Sequence, residues 1–372
     1  MKKLRVGILF GGRSAEHEVS LQSARNILRA IDRGKYEPVL VAIDANGRWG
    51  VVTEEGFMAL FSGDKVRPSV PPIHPEVLST IAPGAPNGLF LSPGQGGGRP
   101  EKIDVVFPAL HGTYGEDGTV QGLLKLVDIP FVGPGVLGSA ACMDKDVMKR
   151  LLRDASIPTP KFLAYPWDAR GSIGFAEVKR ALGLPLFVKP SNLGSSVGIS
   201  KVKSEGEFQR AVDLAFRFDA KIVIEEFIRG RELECSVLGN ERPVASVLGE
   251  VKPLHEFYSY EAKYVDEKGA LLEIPARVTE AQKREVQDLA VRSFKALCCE
   301  GMARVDFFLS EGGEVLVNEL NTIPGFTAIS MYPMLWEASG VPKSALIDRL
   351  IGFALERYER EKKVRTSVFD EK

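Results

Sequence analysis

The chain has 372 residues, 44% of them hydrophobic and 26% charged, which suits a soluble globular protein of two or three domains. Its 48 basic and 49 acidic residues leave a net charge of −1, so charge recommends neither nucleic acid nor an anionic membrane as a partner. No apolar run approaches the ~20 residues of a transmembrane helix, and VGILF after Lys2 and Lys3 is too short for a secretory signal. Cys142, Cys235, Cys298 and Cys299 have neither framework nor zinc-like spacing, which predicts a reduced, cytoplasmic protein with Cys298 and Cys299 packing in a helical stretch.

Residues 4–10, LRVGILF, read as a strand buried on both faces, as in a parallel sheet. Gly11-Gly12 lead into a helix over 14–31, and PVLVAI at 38–43 follows as a second strand. This order opens an open α/β domain, in which ligands sit beyond the strand C-termini, so Glu16 lies at a binding edge. Residues 63–100 carry eight prolines and the tract GQGGG and read as a surface insertion or poorly ordered loop. Order resumes in a strand at 103–110, ending at His111 in HGTYGEDG, in front of a helix running to about Val127. His111 is either a ligand contact on that Gly-rich edge or a structural histidine.

Gly133, Gly135 and Gly138 form a GxGxxG. It lacks the following βα unit and acidic residue that a dinucleotide site needs, and Pro134 lies inside it. The strand PLFVKPS (185–191) enters the loop NLGSSVG and leaves as ISKV. Gly194, Ser195, Ser196 and Gly198 can fold N–H and hydroxyl groups over phosphate oxygens, with Lys189 as cationic partner; a plain hairpin turn is the alternative. After a helix over about 204–218, Glu225 and Glu226 end the strand KIVIEEFI, and Glu232 follows in RELECSVLG; acids there suit a sugar hydroxyl or adenine amino group, or solvent.

Residues 252–269 have no clear period and read as a lid with Lys263 and Tyr264 as active members. A helix over about 279–298 leads to the strands ARVDFFLS and EVLVNELNT, joined by a turn with Gly312 and Gly313. Alternation places Arg304, Asp306 and Phe308 on one face, and Val315, Val317, Glu319 and Asn321 together on one face. If Ser310 pairs with Val315, Asp306 faces Glu319 and Arg304 faces Asn321. Two carboxylates and an amide so placed suit Mg²⁺ plus substrate phosphates; an exposed polar face neutralised by Arg304 is the alternative. PGFTAISMYP then supplies loop N–H groups before a final helix to about Arg360. Together these parts fit a nucleotide triphosphate and metal-assisted phosphoryl transfer.

GGRSAEHEVS (11–20), HGTYGEDG (111–118), MDK (143–145), FVKPSNLGSSVGISKV (187–202), YEAKY (260–264), RVDFFL and NELNTIPGFTAISMYP occur in this order. The chain thereby resembles the D-alanine–D-alanine ligases of the ATP-grasp superfamily, from Gly11 to Pro333. The resemblance implies an α/β protein: an N-terminal open parallel-sheet domain (1–140), then a central (141–232) and a C-terminal (233–372) grasp subdomain of α+β character. It implies that ATP phosphorylates one D-alanine to an acyl phosphate, which the amine of a second attacks. Glu16 would hold the first ammonium with His111 nearby; Lys145, Lys189, Ser195 and Ser196 would bind phosphates, and Lys263 would reach the γ-phosphate. Glu225, Glu226, Phe227 and Ile228 would line the adenine site with Phe308, and Glu232 would take the ribose. Asp306, Glu319 and Asn321 would hold two Mg²⁺ or Mn²⁺ ions. Arg304 and the Gly325 N–H would stabilise the oxyanion, and Ser330 and Met331 would receive the second carboxylate. Glu16, Ser195 and Tyr264 would link the lid to the other domains. A homodimer is also implied. Tyr264 favours an amine as second nucleophile over the hydroxyl of D-lactate; a D-lactate or D-serine-adding relative is the nearest competing reading. A non-catalytic nucleotide sensor and a dinucleotide oxidoreductase are the readings from other classes.

Overall fold

A computed structural model describes residues 2–62, 65–66, 77–80, 88–91, 101–253 and 270–365. The first sheet has the order β3-β2-β1-β9. In it β1 (Leu4–Gly11) runs parallel to β2 (Tyr36–Ile43), with Leu4 opposite Tyr36, and β3 (Trp49–Val52) returns antiparallel beside β2. Five short strands follow: β4 (Phe61–Ser62), β5 (Lys65–Val66), β6 (Val77–Thr80), β7 (Gly88–Leu91) and β8 (Glu101–Lys102). Strands β6, β7 and β8 make a small antiparallel sheet, so the segment read as an insertion or loop carries secondary structure of its own. Then β9 (Val105–Pro108) takes the other flank of β1, in parallel.

Strand alternation divides β1 between two cores. Val6, Ile8 and Phe10 meet Leu21, Ala24 and Ile27 of the helix His17–Ala30; Leu9 on the opposite face meets Val120 and Leu124 of the helix Thr119–Leu126. The first of these cores is closed by Leu346, Leu350 and Ile351, from the last helix, Lys343–Glu361. Each such fully buried aliphatic side chain contributes about 1.5–3 kcal/mol. The expected single C-terminal helix is two, Met331–Ala338 and Lys343–Glu361, divided by a turn at Gly340 with φ +85°.

The other two large sheets are antiparallel. β10 (Phe162–Pro166), β11 (Leu186–Pro190), β12 (Ser200–Val202) and β13 (Lys221–Glu226) have the order β10-β13-β11-β12. They share a core with Val178 and Leu182 of one helix and Phe208, Ala211 and Val212 of another. β14 (Gly230–Gly239), β15 (Val244–Pro253), β16 (Ala270–Glu273), β17 (Gly301–Ser310) and β18 (Val315–Asn321) form the third sheet, in the order β16-β15-β14-β17-β18. The helix Glu280–Ala296 covers it with Val286, Leu289, Ala290 and Phe294.

The β17–β18 register holds where expected and slips where it was not. Arg304 faces Asn321 and Asp306 faces Glu319, but Leu309, not Ser310, pairs with Val315. A bulge between Asp306 and Phe307 absorbs the difference, leaving Asn318 as the extra residue of β18. The extra residue turns the strand over. Val315, Val317 and Leu320 are buried in the core, whereas Glu319 and Asn321 lie on the other face with Arg304, Asp306 and Phe308. The expectation that Val315 and Val317 share a face with Glu319 and Asn321 is therefore corrected. Cys298 likewise departs from a helical packing role: it follows the helix, is exposed, and has φ +53°.

The helix Glu280–Ala296 begins with a capping box, in which Thr279 accepts from Gln282 N–H and the Gln282 side chain returns to Thr279 N–H. Thr279→Ala is expected to lower unfolding free energy by about 1 kcal/mol, read as a lower denaturant midpoint at constant slope.

Candidate active site

The turned-over end of β18 gathers acids and an amide around one guanidinium. Arg304 Nε and Nη2 each lie 2.7 Å from an oxygen of Asp306, and Nε is 2.9 Å from Glu234 Oε2 on β14. Asn321 Nδ2 donates to Asp306 Oδ2 at 3.0 Å. Burial works against the Arg304 charge, but Asp306 and Glu234 hold it firmly protonated. Among the described residues no group of three or more His, Cys, Asp or Glu could by itself hold a metal. Two carboxylates and an amide, all hard oxygen donors, fit Mg²⁺ or Mn²⁺ that take further ligands from substrate phosphates.

Two lysines converge on this face from the helix Lys145–Asp154 and from β11. Lys145 Nζ donates to Leu193 O at 2.8 Å and lies 3.5 Å from Glu319 Oε2, tying the Gly/Ser loop to the hairpin. Asp144 caps that helix, accepting from Asp146 and Val147 N–H, and also accepts from Ser191 Oγ. Lys189 Nζ donates to Glu225 Oε2 at 2.5 Å, and Lys149 Nζ lies 3.2 Å from Glu225 Oε1. Burial alone would raise the Glu225 carboxyl, but Lys149 and Lys189 together hold it at about 2. Glu225 is thus a buried counter-ion shared by two lysines, and Lys149 Nζ also donates to Thr159 Oγ1 at 2.9 Å.

The Gly/Ser loop has an unusual backbone. Ser195 (φ +53°), Ser196 (φ +60°) and Gly198 (φ +72°) all lie in the left-handed region, which serines adopt only under constraint. Part of the constraint is Glu16, which accepts the hydroxyl of Ser195 across the cleft from the residue preceding the first helix. Ser14 Oγ donates to His111 O and accepts Glu16 N–H, so Glu16 and the HGTYGED loop are held together. His111 is buried, and both ring nitrogens have protein partners: Nδ1 is 2.9 Å from Ile323 O, and Nε2 is 2.9 Å from Ser23 Oγ. Burial lowers its pKa, so it sits there neutral. A side chain at Gly325 would come within 2.7 Å of Ser330 Oγ, so any larger residue would push the Ser330 hydroxyl aside. Ser330 Oγ accepts from Thr327 N–H and precedes the helix that Met331 begins.

The remaining candidates lie on or beside the two antiparallel sheets. Phe308 on β17 pairs with Glu232 on β14 and with Leu316 on β18. Phe227 lies with its ring 6.0 Å from that of Phe187, Lys201 Nζ stands 4.3 Å over it, and Ile228 is half-buried. Glu226 accepts Lys161 N–H at 2.7 Å. Lys263 and Tyr264 lie outside the described residues. The Gly133-Gly135-Gly138 segment opens the helix Val136–Met143, which leads into a further helix rather than a βα unit. At Gly138 a side chain would strike Cys298 O, which accounts for that glycine by packing.

Sequence reasoning missed Lys149, Glu234, Glu116, Ser23 and Asp144. Lys149 could have been found one helical turn after Lys145, and Glu234 by its alternation with Glu232 along β14, facing Asp306. Glu116 stood inside a quoted motif, but its partners are long-range and no spacing announces them.

Residues 5–134 match the family described as D-ala D-ala ligase N-terminus, and residues 151–352 match D-ala D-ala ligase C-terminus. A D-alanine–D-alanine ligase of Shouchella clausii is 50% identical over an alignment of 376 positions spanning 100% of both chains. D-alanine–D-alanine ligase A of Escherichia coli is 50% identical over 368 positions, 99% of this chain and 100% of that one. Among solved structures, the D-alanine-D-alanine ligase of Coxiella burnetii superposes with TM-score 0.82 at 41% identity, covering 98% of this chain and 97% of that one. A D-Ala:D-Ser ligase of Enterococcus faecalis gives 0.81 at 34% identity, covering 95% of this chain and 100% of that one.

The Glu225 arrangement predicts acid behaviour. A carboxylate held near 2 when folded and near its ordinary 4.5 when unfolded adds stability above 4.5, lost as pH falls toward 2. Lys149→Met removes one counter-ion and should cost about 3 kcal/mol at neutral pH. The acid-unfolding midpoint, followed by circular dichroism, should move to higher pH.

Proposed function

Because the chain belongs to the D-alanine–D-alanine ligase family, we infer that it joins two D-alanines into D-alanyl-D-alanine for peptidoglycan synthesis. It is an ATP-dependent, peptide-bond-forming ligase. The observation that supports the chemistry best is the convergence of Lys145, Lys189, Arg304, Asp306 and Glu319 in one cleft, beside a Gly/Ser loop anchored to Glu16.

In this reading Glu16 takes the ammonium of the first D-alanine, and its carboxylate oxygen attacks the γ-phosphorus of ATP. The phosphorus–oxygen bond to ADP breaks and an acyl phosphate forms. Lys145 and Lys189 neutralise phosphate charge, while the Ser195–Ser196 backbone and hydroxyls cover it. Asp306, Glu319 and Asn321 would hold one or two Mg²⁺ or Mn²⁺ ions, whose charge, when bound, offsets that of the phosphates. The amine of the second D-alanine then attacks the acyl carbon, and phosphate leaves. The Arg304 guanidinium and the Gly325 N–H face the oxyanion of that tetrahedral intermediate. Ser330 and the N-terminus of the helix Met331–Ala338 receive the second carboxylate. Glu225, Glu226, Phe227, Ile228 and Phe308 line the adenine side and Glu232 the ribose. Lys263 supplies a further cation to the γ-phosphate, and Tyr264 favours an amine over a hydroxyl nucleophile.

The same reading takes residues 1–140, 141–232 and 233–372 as its three domains, with 252–269 as lid, and places the enzyme in the cytoplasm as a homodimer. No helix among the described residues is long and apolar enough to cross a membrane.

The deciding assay is phosphate release from ATP and Mg²⁺ with D-alanine alone, L-alanine alone, or D-alanine plus D-lactate or D-serine, with products weighed by mass spectrometry. D-Alanine alone should release phosphate and yield the dipeptide. Release that needs D-lactate or D-serine would move the second-substrate specificity, and none at all would remove the ligase reading. Glu319→Gln should keep the native circular dichroism spectrum and lose about 100-fold or more in kcat.

A further inference from the structure

Between β18 and the next helix runs the segment Thr322–Ser330, which carries Gly325. Within that segment Ser330 Oγ accepts Thr327 N–H; the peptide groups on either side of Pro324-Gly325 are held by the N-terminal region. The peptide groups of Ile323 are held on both polar sides by one loop: His111 Nδ1 lies 2.9 Å from Ile323 O, and Glu116 Oε1 accepts Ile323 N–H at 3.2 Å. Phe326, the residue after Gly325, is held in the same two-sided way from the first helix. Its N–H donates to Ser23 Oγ at 3.0 Å and its carbonyl accepts Asn26 Nδ2 at 2.8 Å. Ser23 Oγ is itself 2.9 Å from His111 Nε2, so the two grips form one network. The network sets the tautomer: Nδ1 carries the proton given to Ile323 O, and Nε2 accepts from the Ser23 hydroxyl.

We propose that His111 and Glu116 are positioning residues for the ligation step: by clamping the backbone beside Pro324-Gly325 they fix the Gly325 N–H relative to Arg304. This rests on the reading above that the Gly325 N–H faces the oxyanion. A donor displaced by about 1 Å costs up to about 100-fold in rate, so a clamp of this kind acts on chemistry rather than on nucleotide binding.

Glu116 holds both its donors most strongly as a carboxylate. Its Oε2 accepts Gly112 N–H at 2.8 Å while Oε1 accepts that of Ile323, and a protonated carboxyl would have to turn one oxygen into a donor. The charged and titratable groups facing it are Glu16 before the first helix, Arg304 on β17, the Cys142 thiol at the end of its helix, and the neutral His111 on its own loop. Burial and Glu16 push the Glu116 carboxyl up to about 8, against the two N–H donors and Arg304. The clamp therefore tightens as pH rises through about 8.

The test is steady-state kinetics with ATP, Mg²⁺ and D-alanine on the wild type, Glu116→Gln, His111→Ala and His111→Asn, each checked for its thermal midpoint. Glu116→Gln and His111→Ala should lower kcat by about 10–100-fold with KM for ATP within about twofold. His111→Asn, whose amide nitrogen takes the place of Nδ1, should recover most of the loss. The wild-type kcat should rise through about pH 8, and Glu116→Gln should lack that limb. Should Glu116→Gln not fold, the His111 pair decides. Unchanged kcat, a parallel rise in KM for ATP, no recovery in His111→Asn, or an unaltered pH limb in a folded Glu116→Gln would each overturn the clamp. A wild type that makes no dipeptide overturns the ligase reading first; an active wild type with insensitive variants overturns this inference alone.

Discussion

A β-strand has two faces and a strict alternation, and β18 is asked to break it. Near the turn its valines must enter the core over the helix Glu280–Ala296, yet four residues after Val315 it must present Glu319 beside Asp306. A regular strand would send Val315, Val317, Glu319 and Asn321 to one side. One extra residue, Asn318, resolves the conflict by reversing the strand midway, and Leu320 replaces the valines as the buried member. The carboxylate–amide face, the guanidinium among its acids and the approach of Lys145 all depend on that reversal.

Charge in the cleft is arranged in nested pairs. Glu225 lies behind Lys189 and Lys149, and Glu234 and Asp306 lie beside Arg304. Each of these cations has an acid partner in the protein, Lys149 and Lys189 sharing Glu225, so desolvation is offset before any substrate arrives. An anionic ligand then meets a Lys189 already held in place, and less side-chain freedom is lost on binding.

Much of this was legible in the sequence because the relevant residues are local. The buried runs LRVGILF and IDVVFPAL read as buried strands and pair in parallel as β1 and β9, and the motifs around Ser195, Asp306 and Glu319 kept their order and spacing. The pairing of Asp306 with Glu319 follows in the sequence from a register of Ser310 with Val315 that does not form, and it holds only because of the bulge, of which Leu316 and Asn318 carry no mark. His111 was visible as a histidine on a loop at the sheet edge. Its partners, Ile323 and Ser23, lie 212 and 88 residues away, and only folding decides whether such a ring faces a ligand or the protein. The segment 63–100 looked like a loop because proline and glycine dominate it, and the short β6 and β7 pair inside it nonetheless.

The last helix closes the core of the first sheet. Leu346, Ile347, Leu350 and Ile351 complete that core beside the first helix and β9, and the buried Arg357 donates to Gly133 O and Phe131 O. A chain made from its N-terminus therefore leaves the ribosome with that core covered by the first helix but open on its other side for most of synthesis. The first region cannot complete its core until residues about 340 positions downstream have emerged. Such a surface is where a nascent chain meets chaperones or a neighbouring copy. Segments about 340 positions apart are thus bound into one cooperative unit, so a change in the last helix acts on the stability of the first sheet.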